Sequence, residues 1–319
     1  MELKETDIKL LSYLYHNYRE PISKIAKQTK LTRDQVEYKI EKYKNEGIIK
    51  KFCPIINYGK LGYNYFVILL LKLESKQEIK EFSLELKKNK NVVSFGEILG
   101  KYDIYINYIF KNEEEFAKYF ADLVNNEEIK IHSYQTIKPY FAELYPLKFI
   151  KQNEKNNLTI INKSDNTIKI DEKDKEILKS LNKNGRMKLI GIANNANISS
   201  ELALYKLRRL NKEKIILGSR IQFNMEKLGY YFSDILLNIN FLSENNKNKI
   251  INFAENSKNV NSLIFSLNKP NCMIQIFHKE DKELRNTIKE IKNIFKNELT
   301  ELDIMLINEE DEVNTIPFF

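Results

Sequence analysis

The sequence predicts an α+β fold built twice in one chain, and three observations carry that prediction. At 319 residues the chain is long enough for about two compact domains, each with a core of its own. Residues 3–63 align without a gap on residues 170–230. Within each half, apolar residues recur first at helical spacing and then at strand spacing.

The repeat pairs Asp7 with Asp174, Leu11 with Leu178, Leu14 with Leu181, and Asn17 and Arg19 with Asn184 and Arg186. Ile25-Ala26 meets Ile192-Ala193, Tyr38-Lys39 meets Tyr205-Lys206, and Lys60-Leu61-Gly62-Tyr63 meets Lys227-Leu228-Gly229-Tyr230. A period this long describes duplicated domains rather than a solenoid. The predicted division is 1–63, 64–150, a linker over 151–167, 168–230 and 231–319. The linker is rich in Asn and Lys, with a candidate short strand from Leu158 to Ile161.

Composition narrows the function classes. With 42% hydrophobic and 30% charged residues, nine Gly and six Pro, the chain is neither low-complexity nor wholly disordered. Its longest apolar run, Tyr65 to Leu71, falls well short of the roughly 18 residues of a membrane span. The N-terminal MELKETDIKLL has none of the features of a signal peptide, so a cytoplasmic location without membrane contact is expected. Cys53 and Cys272 stand far apart, and His16, His132 and His278 are equally scattered. No metal site, cofactor or catalytic cluster is expected from such spacings.

Charge is uneven. Basic residues outnumber acidic ones 13 to 8 over 1–63 and 14 to 7 over 168–230; the counts are 15 and 15 over 64–167, and 10 against 14 over 231–319. The whole excess of +8 therefore sits in the two homologous modules, which points to a polyanionic partner, double-stranded DNA.

The first module reads as three helices. Ile8, Leu11, Leu14 and Tyr15 fall at helical spacing behind Thr6 as N-cap, and Pro21 opens a second helix through Ile25 and Ala26. A turn over Gln28 to Leu31 leads to a third helix capped by Thr32, with Val36, Ile40 and Tyr43 facing inward. Gly47 ends it, and a hairpin over Ile49 to Ile56 would form a wing. The second copy repeats this, with Ser199 capping its third helix and Ala203, Leu207 and Leu210 inside. This is a winged helix-turn-helix, whose third helix fits a major groove. The candidate DNA-binding residues are Thr32, Arg33, Gln35 and Tyr38 at base edges, with Lys39, Lys42, Lys50 and Lys51 on phosphates. In copy two they are Ser199, Ser200 and Tyr205, with Lys206, Arg208, Arg209 and Arg220.

The segments after each module read as strand, helix, two strands, helix, strand. In copy one these are Tyr65 to Leu73, Gln77 to Lys90, Val92 to Leu99, Tyr102 to Phe110, Glu113 to Asn125 and Ile129 to Ile137. The order βαββαβ is the ferredoxin-like arrangement.

Together these features resemble the leucine-responsive (Lrp/AsnC) family of transcription regulators. The resemblance rests on Asn184-Gly185-Arg186, Ile192-Ala193, Ile198-Ser199, Leu207-Arg208-Arg209-Leu210, Ile48-Ile49 and the Leu99-Gly100-Lys101-Tyr102-Asp103 turn. It implies sequence-specific DNA binding and ferredoxin-like domains of the RAM type that pair with one another. It also implies an amino-acid or other small-molecule effector beside Gly100 and Asp103. The two RAM domains of one chain are expected to pair as an intrachain pseudo-dimer, with a homodimer as the other form. Tyr38-Lys39 and Tyr205-Lys206 stand where the family usually has arginine, and copy two has Asn268 and Asn271 in place of the Gly-x-x-Asp turn. Siroheme decarboxylases share the architecture but rely on histidine and other basic residues around that turn, and neither turn here holds histidine. An interaction scaffold without specific DNA reading is the other alternative.

Overall fold

The computed structural model describes residues 3–126, 129–148, 157–161 and 166–319. Residues 151–156 and 162–165 of the expected linker lie outside the described residues. The first half comprises α1 (Glu5–Asn17), α2 (Ile22–Thr29), α3 (Arg33–Asn45), β1 (Ile49–Ile56), β2 (Tyr65–Leu73), α4 (Lys76–Lys88), β3 (Val92–Leu99), β4 (Ile104–Phe110), α5 (Glu113–Val124) and β5 (Ile131–Ile137). Two further strands follow, β6 (Pro139–Leu144) and β7 (Leu158–Thr159). The second half repeats the order: α6 (Glu172–Lys183), α7 (Leu189–Asn195), α8 (Ser200–Lys212), β8 (Ile216–Phe223), β9 (Tyr231–Ile239), α9 (Glu244–Asn256), β10 (Val260–Ser266), β11 (Cys272–His278), α10 (Asp281–Ile294) and β12 (Leu299–Glu310).

Local chemistry sets the ends of the helices. Thr32 and Ser199 cap α3 and α8 as expected, accepting from the backbone N–H of Gln35 and Leu202, each at 3.2 Å. The expected cap at Thr6 is replaced: α1 starts at Glu5, and the Asp7 carboxylate accepts from Lys4 N at 3.0 Å. Lys30 (φ 57°) and Asn197 (φ 50°), equivalent in the repeat, make the left-handed turns before α3 and α8.

The wing differs from the expectation. Ile49–Ile56 is one continuous strand, and it pairs antiparallel with β8 of the second copy, with a register shift near each end. Eight residues are too few for two strands, and Lys50 to Ile55 offers no Asn-Gly or Asp-Gly turn to fold them back. The strand's hydrogen-bonding groups find their partners in the other copy instead. In this register Phe52 faces Ile221, Cys53 faces Arg220 and Pro54 faces Ser219. Cys53 and Arg220 are also equivalent in the repeat, so a pseudo-two-fold axis passes between them.

The βαββαβ halves obey the same axis. Their ten strands run β5-β2-β4-β3-β12-β9-β11-β10-β6-β7. Each half contributes the ferredoxin-like order, and the strand that ends each half continues onto the edge of the other. β6 pairs with β10, and the last residues of β12 pair with β3. β12, Leu299–Glu310, is long enough to pair with β9 over its first part and with β3 over its last. One face of each sheet meets its own helices: Val67, Leu69 and Leu71 pack with α4 and α5, and Ile235 and Leu237 with α9 and α10. The opposite faces share one core, in which Ile68, Leu70 and Tyr105 meet Leu236, Met273 and Met305.

The helical modules also cross over. The core of α1–α3 includes Ile221 and Phe223 of β8, and that of α6–α8 includes Ile56 of β1. Their α1–α2 and α6–α7 connections touch: Arg19 Nη1 donates to Gly185 O, and Arg186 Nη1 to Tyr18 O. A Cβ at Gly185 would stand 2.5 Å from Tyr18 Oη and 2.6 Å from Phe52 O. Backbone and a fully buried ring cannot retreat, so Gly185→Ala is expected to cost roughly 1–3 kcal/mol, read as a lower denaturation midpoint with unchanged secondary structure.

Candidate nucleic-acid interface

The helix-turn-helix geometry exposes the first turns of α3 and α8, whose N-terminal N–H groups favour anions. On α3, Thr32, Arg33, Gln35 and Tyr38 are exposed, with Lys42 one turn further on. On α8, Ser199, Ser200, Tyr205 and Arg208 are exposed. Tyr38 and Tyr205, equivalent in the repeat, are 69% and 64% exposed. Gln35 also closes a capping box, its Oε1 accepting from Thr32 N at 3.0 Å.

The remaining sequence candidates are held elsewhere. Lys39 pairs with Asp7, whose Oδ1 also accepts from Tyr43 Oη at 2.5 Å. The equivalent Lys206 is buried, bonding Asp171 at 2.6 Å and Asp174 at 3.2 Å. Arg209 donates to Asp174 at 2.5 Å. These residues pin the third helix of each module to its first, and both copies keep the same Asp–Lys pair. Lys50 Nζ donates to Glu310 O at 2.6 Å, and Lys51 faces Glu312 at 3.9 Å. Both lysines of β1 therefore turn towards the end of β12. Arg220, at the axis, lines an interior cavity. Lys39, Lys50, Lys51, Lys206, Arg209 and Arg220 thus have structural or interior positions, because each lies on a helix or strand face that packs against its neighbour.

The electrostatics agree. Burial acts against the Asp7 carboxylate, but hydrogen bonds from Lys39, Tyr43 and Lys4 N hold it below the usual range. Lys206 and the N–H of Asp174 hold the Asp171 carboxyl down to about 2. Burial opposes the Lys206 charge, yet Asp171 and Asp174 raise its pKa.

The α3 surface also carries Asp34, Glu37 and Glu41. Arg186 lies close enough for Glu37 and Glu41 to favour its charge, so the second copy offsets part of that acidity. The sequence reading did not assign the reciprocal Arg19 and Arg186 contacts. Their signal was the shared Asn-x-Arg of the repeat.

The Gly100…Asp103 turn has a structural explanation. Asp103 accepts from Lys72 Nζ at 2.7 Å and Leu73 N at 2.9 Å. In copy two Asn271 bonds both backbone groups of Ile239 at 2.9 and 2.7 Å. Asp103 N and Asn271 N bond Leu71 O and Leu237 O, so both residues fasten the turn to the first strand of their half.

Residues 3–50 match the winged helix-turn-helix DNA-binding family model. The HTH-type transcriptional regulator FL11 of Pyrococcus horikoshii is 32% identical over 124 residues, spanning 39% of this chain and 81% of that one. FL11 of Pyrococcus furiosus is 30% identical over 126 residues, 40% of this chain and 82% of its own. Each match is about the size of one copy. The crystal structure of the siroheme decarboxylase NirDL in co-complex with an iron-uroporphyrin III analogue aligns with 99% of this chain and 95% of that one. Its TM-score is 0.62 at 15% identity, a likeness of fold that spans both copies.

Two outcomes are expected. Asp174→Ala leaves Arg209 with only Glu213, at 3.9 Å, and Lys206 with only Asp171, which costs roughly 3 kcal/mol in a urea titration. Asp7 and Asp171 have folded pKa values below their unfolded ones, so their contribution is present above about pH 4 and lost as pH falls towards 2. Thermal melts from pH 5 to 2 should show that step, smaller in Asp171→Asn; solvent around half-exposed Asp171 keeps the difference modest.

Proposed function

We propose, for a chain that belongs to the Lrp/AsnC family of helix-turn-helix transcription regulators, that its two modules (1–63 and 168–230) read one asymmetric DNA site together. The domains over 64–150 and 231–319 hold them in register as an intrachain pseudo-dimer. The observation that carries this reading is the chemistry left exposed at the two reading helices after the buried pairs are set aside. On α3, Arg33 is exposed without an ion-pair partner among the described residues and suits the O6/N7 edge of guanine. Lys42 is exposed one turn beyond the base-reading positions, suited to phosphate. On α8, Ser200 and Tyr205 face outward, and Arg208 and Lys212 supply positive charge. The faces differ, so a site of two unlike half-sites fits better than a palindrome.

An amino-acid or other small-molecule effector belongs to this reading as well. The engagement of Asp103 with Lys72 and Leu73 favours a structural role for the Gly100…Asp103 turn. The chain is read as a non-enzyme. The decarboxylase likeness is one of fold, and the histidines of the ferredoxin-like halves stand on separate elements. His132 is exposed on β5, whereas His278 is buried beside Ser233 at 2.9 Å.

Selection of duplexes from a random pool, at about 50 and 200 mM salt, tests the proposal. Recovery of a two-part motif with unlike halves is expected, and no salt-sensitive binding to any duplex would refute it. Arg33→Ala should relax preference at one position, losing roughly 1–3 kcal/mol on the selected site. Lys212→Ala should weaken all duplexes evenly and lower the salt slope by about one. Equal losses on every sequence from both variants would remove Arg33 from base reading.

A further inference from the structure

On the pseudo-two-fold axis, between the inner faces of the two sheets and the β1–β8 ribbon, lies a cavity of about 180 Å³. Much of its wall is apolar, with Phe66, Ile68 and Met273 among the lining side chains. Three charged residues also line it: Arg220, Asp234 and Glu310. All three come from the second copy. Strand register and the repeat place Cys53, Ile68 and Ala142 at the equivalent positions of the first copy. The first copy shows that the fold is complete with apolar residues there. Charges installed in a protein interior oppose folding unless something compensates them.

Their partners are incomplete. Glu310 is served on both oxygens, by Tyr105 Oη at 3.1 Å and Gln222 Nε2 at 3.0 Å. Asp234 is 1% exposed; the Gln275 side chain serves its carboxyl, but Oδ1 has no hydrogen-bond partner. Burial, with Glu310 nearby, pushes its carboxyl up to about 8. Arg220 feels the charge of Glu310 but has no hydrogen bond or ion pair among the described residues. One chamber therefore holds a cation with no hydrogen-bond partner among the described residues and a carboxyl with one free oxygen, between largely apolar walls.

We infer that this cavity is a binding site for one small zwitterion, with its acidic group on Arg220, its ammonium on Asp234 and Glu310, and its apolar part against Phe66, Ile68 and Met273. The volume is close to that of cavities that admit a single benzene, about 150 Å³, which limits the guest to a compact molecule. A second hollow of about 540 Å³ shares Tyr58, Phe66, Ile160 and Ile161 with the chamber and marks the side of entry. The inference concerns the protein alone and stands or falls without DNA.

Isothermal titration of the full chain tests it, with apolar α-amino acids as probes and n-butylamine and butyrate as single-charge controls. At least one amino acid should bind with one site per chain, and both controls at least tenfold more weakly. Heats in buffers of different ionisation enthalpy should show proton release at pH 7, because an ammonium draws the proton from Asp234. Asp234→Ile and Arg220→Cys install the residues the first copy already carries, so they should fold and yet lose at least tenfold in affinity. Asp234→Asn serves where Asp234→Ile fails to fold. Millimolar probes that give no binding would overturn the site, as would controls that bind equally well. Binding unchanged in both cavity variants but lost in Asp103→Asn would move it to the turn.

Discussion

The constraint on which the rest of this structure depends is that no strand edge in either copy is satisfied within that copy. β1 is an eight-residue strand with buried apolar residues and no turn to fold on, so its N–H and C=O groups require a second strand. β8 is that strand, and the pairing fixes the axis between Cys53 and Arg220. The edges at β3 and β10 meet the same need through β12 and β6. Once these three pairings form, the modules have no freedom to choose another relative orientation. The direction in which α3 and α8 face is thus set by backbone hydrogen bonds rather than by a linker.

Covalent joining makes such exchange favourable. At short linker length one copy sees the other at an effective concentration on the order of millimolar, and an exposed edge strand is a hazard for association with other chains. Pairing the β3 and β10 edges within one chain reduces that hazard, and β5 and the two-residue β7 are left as the outer strands of the ten. The reciprocal contacts of Arg19 and Arg186, and the place of Gly185 against Tyr18, are side-chain consequences of the same closure.

Much of this was legible in the sequence, and the failures have physical causes. Helices and strands follow apolar periodicity, which is local, so α3, α8 and the βαββαβ order could be read directly. Which strand pairs with which is not local, and the Ile49 to Ile56 segment read as a hairpin because its partner lies some 170 residues away. The DNA-facing residues were half legible. Exposure at Arg33, Tyr38 and Arg208 follows from helical phase, but Lys39 and Lys206 looked like surface lysines until Asp7 and Asp174 came beside them. The repeat held that clue, since it keeps acid and base at both positions. Arg220 could not be placed without the register, whereas Asp234 stood out in principle: Tyr65-Phe66-Val67-Ile68 and Tyr231-Phe232-Ser233-Asp234 begin alike and part at a buried residue.

A tandem chain can do what two identical chains cannot. In a homodimer every residue near the axis appears twice, so a cavity there holds either two arginines and four carboxylates or none. Here Arg220, Asp234 and Glu310 occur once each, opposite Cys53, Ile68 and Ala142, and the chamber acquires a polarity that symmetry would forbid. The same freedom acts at the reading helices, where Arg33 and Ser200 occupy one repeat position with unlike chemistry. Both ends of the molecule lost their symmetry while the strand pairings between them kept it. An asymmetric ligand at the axis contacts β8, β9 and β12, and β8 is paired to the strand that follows α3. Binding there and binding at the helices therefore act on one continuous set of backbone hydrogen bonds, so any preference of the ligand for one relative orientation of α3 and α8 must appear as an equal and reciprocal preference of the DNA for the liganded or unliganded chain.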